Sequence, residues 1–551
     1  MRQHIVLICL IGLATALAGT PPSWAWVQRT GGTGECRTYA MLEDSQGRIV
    51  VSGYFTGTVE FGGQTLISNG GRDAFVAQMD AGGNWLWAVG IGGAGTDYVS
   101  QMALGSQDQI MVGGSFDQSF SLEQTELINQ GQRDIFLAEL SSVGQPIRAE
   151  VIGSAENEDL EGLAITSSGE IYLCGSFRYS LSIDDLQFSS SNRGFFLAKL
   201  EADMSTLWGQ TINNATGDTE ISGLASDNSG NIYLTGYFTN FCSMGAPNTI
   251  QLTGDGCCGF IVKLDPNGSS IWGERVGNGY CIISSSYTDP SGNTYISAEL
   301  VFEPMFEAEG KHLDYIPNCG KLGADGEWVW VDDTTNLGAC ASIRICGDSS
   351  GNCYITGFLW DNCSFGEYDL TGSFSSMPVY VAAGNPQGEW QWGIQTIGDS
   401  GTLFAFASRI IPSQTDRCII AGSNNAATIN FGDYTLPPAA QTYTWIVKTN
   451  GTSVGNIDPA QNHTPATIAV YPNPSQAQVN FRLDKAVEPG SRAELYNLRG
   501  QVVKRFSGEQ LNETELIWDG KDTEGGICAP GLYFLRIRSG KEITVKAFTR
   551  L

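Results

Sequence analysis

The chain has 551 residues, with 58 acidic against 30 basic side chains and a formal net charge of −28. A nucleic-acid groove needs a basic surface, so that class of partner is excluded. Cations or basic ligands suit the charge better, and acidity on this scale serves solubility outside a cell.

The N-terminus has the pattern of an export signal. Arg2 supplies the positive start and Ile5–Ala18 is apolar. Ser23 and Ala25 are small residues that suit a peptidase, and Ala16 and Ala18 offer a second site. Cleavage is expected after Ala25, giving a signal peptide of 1–25. No later run approaches the roughly 20 apolar residues of a membrane-spanning helix.

A single phrase then recurs: "QGRIVVSGYF" at 46, "QDQIMVGGSF" at 107, "SGEIYLCGSF" at 168, "SGNIYLTGYF" at 229, "SGNTYISAEL" at 291, "SGNCYITGFL" at 350 and "TDRCIIAGSN" at 415. Six intervals of 61, 61, 61, 62, 59 and 65 residues separate these starts, which marks a structural repeat. Each unit holds four extended segments bounded by Gly, Asn, Asp and Ser, with no amphipathic helix. In the unit from Tyr98 they are "YVSQMALGS", "QIMVGGSF", "DIFLAEL" and "PIRAEVIG", with a weaker lip at "SLEQTELI". A four-stranded sheet of this size cannot bury both faces alone, whereas a radial stack can. The expectation is a seven-bladed β-propeller over 26–450.

The fourth segment carries a recurrent Trp slot: Trp26, Trp87, Arg148, Trp208, Trp272, Trp330 and Trp392. It precedes the first unit and is missing after the last. The segment Trp26–Arg29 is therefore expected to supply the outer strand of the seventh blade. The Trp row is expected to pack blade on blade, with a sugar platform as the alternative use.

Fourteen cysteines fit an oxidising compartment, and Cys9 leaves with the signal. Cys346 and Cys353 flank the turn "GDSSGN", which suggests a hairpin bridge. No Cys-x-x-Cys occurs, so zinc is not expected.

After Asn450 the pattern stops. Residues 451–467 form a polar linker with Gly and Pro. Residues 468–551 alternate as short strands with Gly-containing turns, as in a small Ig-like β-sandwich. The fold class expected for the whole chain is thus all-β.

Two resemblances attach here. "YPNP" at Tyr471–Pro474, "LYNLRGQVV", "GLYFLRI" and the terminal Lys-containing strand resemble the C-terminal sorting domain (type A) of type IX secretion cargo. The stretch "WDGKDTEGGICAPGLYFLRI" is also similar to the hook-capping Ig-like domain, a related sandwich. The sorting resemblance implies export through the periplasm and across the outer membrane by the type IX machinery. It also implies removal of this domain, followed by release or surface attachment. It assigns the recognition elements to Pro472, Asn473, Pro474, Gly531, Leu532, Tyr533 and the last strand. The ending "KAFTRL" departs from the Lys-rich terminus of that family. The repeats, best seen in "FGGQTLISNGGRDAFVAQMDAGGNWLWAVGIGG", resemble the bacterial SBBP β-propeller repeats, which implies a secreted or surface protein and no particular activity.

Catalytic raw material is scarce. Only His312 and His463 follow the signal, so neither a Ser-His-Asp triad nor a His-rich metal site is supported. Gly90, Gly92 and Gly95 match Gly-x-Gly-x-x-Gly, but a strand follows where a pyrophosphate site needs a helix. The turns "DNSGN", "DPSGN" and "DSSGN" have ordinary hairpin chemistry and lack the spacing of a calcium loop. Ten residues after the Trp slot stand Asp97, Glu158 and Asp218, with Cys36 and Cys340 in other units and Cys281 one place early. If those three carboxylates converge at the propeller mouth, their repulsion would favour a weak Ca2+ or cationic-ligand site. No other cofactor is expected.

The leading expectation is a secreted or surface-attached binding or adhesion protein, with a surface glycan or protein as ligand and no catalysis. The alternatives are a carboxylate-based polysaccharide hydrolase or lyase and a structural spacer of a surface adhesin.

Overall fold

A computed structural model describes residues 22–212, 219–277, 281–300, 318–332, 340–373, 377–398, 406–413, 417–424, 428–451, 468–471, 478–483, 492–497, 502–506, 515–523, 525–539 and 542–550. The chain divides into two compact units, Met1–Val454 and Gly455–Leu551. The protein is all-β: every regular element among the described residues is a strand. No helix among them is long and apolar enough to cross a membrane.

Among its described residues the first unit forms seven four-stranded antiparallel sheets. The repeated phrase is the second strand of each. Its side chains are buried on both faces, as in Ile49–Phe55, Ile110–Phe116 and Cys353–Leu359, which explains the near-continuous apolar run. The first sheet runs Cys36–Glu43, Ile49–Phe55, Asp73–Met79 and Trp85–Ile91 in spatial order. The second runs Tyr98–Leu104, Ile110–Phe116, Asp134–Leu140 and Pro146–Ile152. The third to sixth sheets repeat this meander, opening with Asp159–Ile165, Thr219–Ser226, Cys281–Thr288 and Cys340–Gly347. The weak lip is a hairpin, Phe120–Leu122 with Thr125–Leu127 in the second unit. In the third and fourth sheets the second and third strands simply continue into it.

The seventh sheet is assembled from both ends of the unit. Phe406–Pro412, Cys418–Asn424 and Tyr443–Thr449 are followed by Trp24–Arg29, paired antiparallel to Tyr443–Thr449 with Trp26 opposite Lys448 and Arg29 opposite Trp445. Each first strand packs on the first strand of the next sheet, and Phe406–Pro412 packs on Cys36–Glu43. Ile419, Ala421 and Ile446 of the seventh sheet share one core with Val51, Phe75 and Ala77 of the first.

The Trp slot cements neighbouring sheets. Trp87 of the first sheet covers Gly144, in the turn before the fourth strand of the second. Trp208 covers Gly268, Trp272 covers Gly326 and Trp330 covers Gly388 in the same way. The Trp208 and Trp272 indoles donate to Pro266 O (3.2 Å) and Ala324 O (3.1 Å). Arg148, which replaces Trp in the second sheet, reaches the equivalent carbonyl of Ala202 through its guanidinium. Trp26 completes the series: its indole donates to Ala81 O (3.1 Å) and lies over Gly83 of the first sheet. Gly144 has φ +80°, and a Cβ there would lie 2.6 Å from the Trp87 ring. Gly144→Ala is therefore expected to cost about 1–3 kcal/mol, read as a lower melting temperature.

The N-terminal strand starts before the expected boundary of 26. Trp24 is buried and meets Phe431 edge-on at 5.2 Å. Ser23 O accepts from Asn450 N–H (2.8 Å). Cleavage after Ala25 would discard both contacts, whereas the second small-residue site, after Ala18, leaves the strand whole. Sequencing the exported protein should give an N-terminus upstream of Ser23.

The expected Cys346–Cys353 bridge is not formed, and the register explains why. Cys346 lies opposite Tyr354, and Cys353 opposite Gly347. Neighbouring residues of a strand face opposite ways. Cys346 enters the core shared with Val381 and Trp392, while Cys353 enters the core of Ile355 and Tyr380.

In the second unit, Ile468–Tyr471, Val479–Leu483 and Glu515–Trp518 form one sheet. Val502–Phe506, Arg492–Asn497, Gly531–Ser539 and Glu542–Arg550 form the other. Phe481, Leu516 and Trp518 from one meet Leu495, Leu535 and Phe548 from the other in a single core.

Candidate binding surface

The site expectations centred on the start of each first strand. Register fixes that place better than counting from Trp. It is the residue opposite the apolar side chain that closes the second-strand phrase. Cys36 lies opposite Phe55, Thr219 opposite Phe238, Cys281 opposite Leu300 and Cys340 opposite Leu359. Asp97 and Glu158 hold the place in the second and third sheets, beside the Tyr98–Ser115 and Asp159–Ser176 pairs. Asp218 lies outside the described residues, and Thr219 holds the place in its sheet. All six of these side chains are buried.

Asp97 and Glu158 do not meet. Asp97 sits at the junction of the first and second sheets, where its amide donates to Arg72 O (2.6 Å). Its carboxylate faces Asp73, and Gly93 N–H donates to its Oδ2 (2.8 Å). Glu158 sits one junction on, facing Asp134, with Ser154 donating through N–H (2.8 Å) and Oγ (2.6 Å). Burial, and then the facing carboxylate, push Asp97 up to about 7. The same two causes push Glu158 up to about 7. Burial also raises Asp73 and Asp134. Asp97 Oδ1 and Asp134 Oδ1 are buried without a hydrogen-bond partner among the described residues. Two facing carboxyls that hold one proton between them fit this arrangement. Among the described residues no group of three His, Cys, Asp or Glu side chains could hold a metal ion.

The turns expected to have hairpin chemistry saturate their own carboxylates. Asp227 Oδ1 accepts from Ser229 and Asn231 N–H (2.9 Å each), and its Oδ2 from Asn231 and Tyr233. Asp289 and Asp348 make the same turn bonds.

A different group of residues forms a connected polar band. Every first strand carries a register slip at one repeat position, for example between Thr38 and Ala40, Leu160 and Gly162, and Ile221 and Gly223. A bulge turns the extra side chain out of the ladder. Tyr39 occupies this place in the first sheet and contacts Tyr54 (5.5 Å) and Tyr98 (6.0 Å). Arg72 stacks over Tyr54 at 4.5 Å, and Tyr54 donates to Glu35 (3.0 Å). Tyr98 donates to Asp159 (3.1 Å), which also pairs with Arg133 (2.7 Å). Arg193 pairs with Glu161 (3.1 Å), and Tyr237 donates to Glu220 (2.6 Å). Arg72 and Glu220 are exposed, and Arg133, Tyr98 and Tyr237 are half-buried. The band spans the first four sheets. On the sixth and seventh, Arg344 donates to Ser408 O (3.3 Å) and Ser284 O (3.2 Å), and Arg409 to Ser408 O (2.9 Å). Burial, and then Arg344, lower Arg409 to about 10.

Sequence reading passed over this band, although it left a signal. Arg72, Arg133 and Arg193 stand at intervals of 61 and 60, the first two just before a third strand and Arg193 within the long one, Leu186–Leu200. Tyr rings backed by Arg–carboxylate pairs offer flat apolar faces beside directed donors and acceptors, the mixture that polar ligands need. The three histidines all lie outside the described residues.

Of the sorting elements, Pro472, Asn473 and Pro474 lie outside the described residues. Gly531 and Leu532 begin the strand Gly531–Ser539. Tyr533 is buried, stacks on Phe548 at 5.9 Å and donates to Ala529 O (2.6 Å), so it packs the core of its unit.

Residues 469–549 match the family described as the secretion system C-terminal sorting domain. The tail is thus a type IX sorting domain, which marks a secreted or cell-surface protein and implies contact with the type IX machinery. No curated protein sequence matches the chain. Among solved structures, the Pan2 WD40 domain of Neurospora crassa is similar at 9% identity and TM-score 0.40, over 76% of this chain and 90% of that one. PorZ, a surface component of the type IX secretion system of Porphyromonas gingivalis, is similar at 10% identity and TM-score 0.19, over 95% of this chain and all of that one.

Proposed function

We propose that the first unit is a closed seven-bladed β-propeller of the SBBP type that binds a surface glycan or protein ligand outside the cell and catalyses nothing. The closure is supported by Trp26, which lies on the first sheet as Trp87 lies on the second. The binding role is carried by the Tyr–Arg–carboxylate band on the first four blades. The band pairs its acids with arginines or tyrosines rather than leaving a free nucleophile beside a base.

The test is a glycan array and a panel of surface proteins probed with the full chain, with product detection. Bound, intact ligand that is lost in an Arg133→Ala/Tyr237→Phe variant supports this reading. Cleaved glycan supports the hydrolase or lyase alternative, and no ligand in either panel supports the spacer. The route out of the cell is tested separately. Deleting 468–551 should leave a folded first unit trapped in the periplasm, and its normal secretion would remove the sorting role. The mature C-terminus is expected inside 450–467.

A further inference from the structure

Cys340 opens the first strand of the sixth sheet, and Cys363 opens the short strand Cys363–Phe365 of the hairpin packed on that sheet. Their Sγ atoms lie 3.3 Å apart, closer than the ordinary carbon contact of about 3.5–4.0 Å. Both side chains are buried, Cys340 at 4% and Cys363 at 2% exposure. The backbone sets this proximity. In the fourth sheet Thr219 holds the place of Cys340, and Cys242 that of Cys363, and these two side chains also meet. The sixth sheet has a sulfur in both positions.

We propose that Cys340 and Cys363 are joined by a disulfide in the exported protein. The sorting domain takes the chain out of the reducing cytoplasm, so the proposal rests on export. The oxidant is a disulfide of that compartment, on a protein or a small thiol. One cysteine thiolate attacks it, forms a mixed disulfide and expels the first donor thiol. The second cysteine thiolate then attacks the mixed disulfide, forms the Cys340–Cys363 bond and expels the second donor thiol. Two electrons and the two cysteine protons end on the donor. In the folded chain the neighbouring Cys363, and then burial, hold the Cys340 thiol protonated. The exchange therefore belongs to folding, before the hairpin closes over the sheet. The product ties the innermost strand of a sheet to its lip.

The test uses the full chain exported into an oxidising periplasm and alkylated under denaturing conditions without reductant. Peptide mapping is expected to find one cross-linked pair containing Cys340 and Cys363, two hydrogens lighter than the free peptides and lost on reduction. Cys363→Ser should leave Cys340 open to alkylation. Alkylation of both cysteines in the unreduced wild type overturns the proposal, as does a link from either to a third cysteine. A parallel sample is reduced, unfolded and refolded in a glutathione buffer. A bond absent from both samples removes the pairing itself. A bond present only after refolding overturns the claim for the exported protein and places the fault in the export step.

Discussion

A chain lacking Trp24–Arg29 is expected to melt far below the full chain, with a loss of several kcal/mol. Three costs combine. The backbone ladder to Tyr443–Thr449 is lost, which leaves that strand as a bare edge. Trp24 leaves the core it shares with Phe431 and Trp445, and a buried Trp→Ala change alone costs about 3–5 kcal/mol. Trp26 no longer bridges to Ala81 and Gly83, so the seventh and first sheets lose their rim contact. Single changes separate these terms. Trp24→Ala should lower stability through the core of the seventh sheet alone. Trp26→Ala should act on the junction with the first sheet, with a smaller loss because that indole is only half-buried. An unchanged melting temperature after the deletion would show that the strand Trp24–Arg29 contributes nothing to the stability of the seventh sheet. The exposed edge should also promote self-association, measurable by light scattering.

The repeat was legible because its second strand is buried on both faces, so one apolar phrase recurs at nearly constant phase. The Trp row was legible because one residue type repeats at one position. What failed was counting across loops. From the Trp slot to the start of the next first strand, the interval is ten residues at Asp97, eleven at Thr219 and nine at Cys281. Loops change length while the register of hydrogen-bonded strands does not. Register therefore places Thr219, one residue past Asp218, at the start of the fourth sheet's first strand, and Cys281 at the same place in the fifth. The Cys346–Cys353 pair failed for the related reason that a one-residue offset across a hairpin reverses the face of a side chain. The polar band was hidden by the bulges. A bulge breaks the alternation that identifies outward residues, as it does at Tyr39 and Glu161.

The buried acid pairs predict that this acidic protein loses stability as pH rises from about 4 to above 7. Asp97 is raised from 3.8 to about 7, and Glu158 from 4.5 to about 7. In the unfolded chain both lose their protons near their ordinary values. The folded state therefore holds protons that the unfolded state has released. That stabilisation is complete below the unfolded values, falls through the interval and is gone once the folded carboxyls ionise above pH 7. At about 1.4 kcal/mol per pH unit, each junction gives up a few kcal/mol. Asp73 and Asp134 face these groups and move in the same direction, so each pair titrates as a unit. Asp97→Asn removes the ionisable carboxyl that faces Asp73 at this junction. The variant should match wild type near pH 4, exceed it at pH 8 and show a flatter profile of melting temperature against pH. Adding Glu158→Gln should flatten it further, because the second junction is separate from the first. A wild-type profile that stays level or rises between pH 5 and 8 would sink the shared proton. Calcium supplies the contrasting outcome. If millimolar Ca2+ restores the wild type at pH 8 and does nothing for Asp97→Asn, the junction holds a cation where a proton was inferred. Equal response of the two proteins leaves the proton as the partner of these carboxylates.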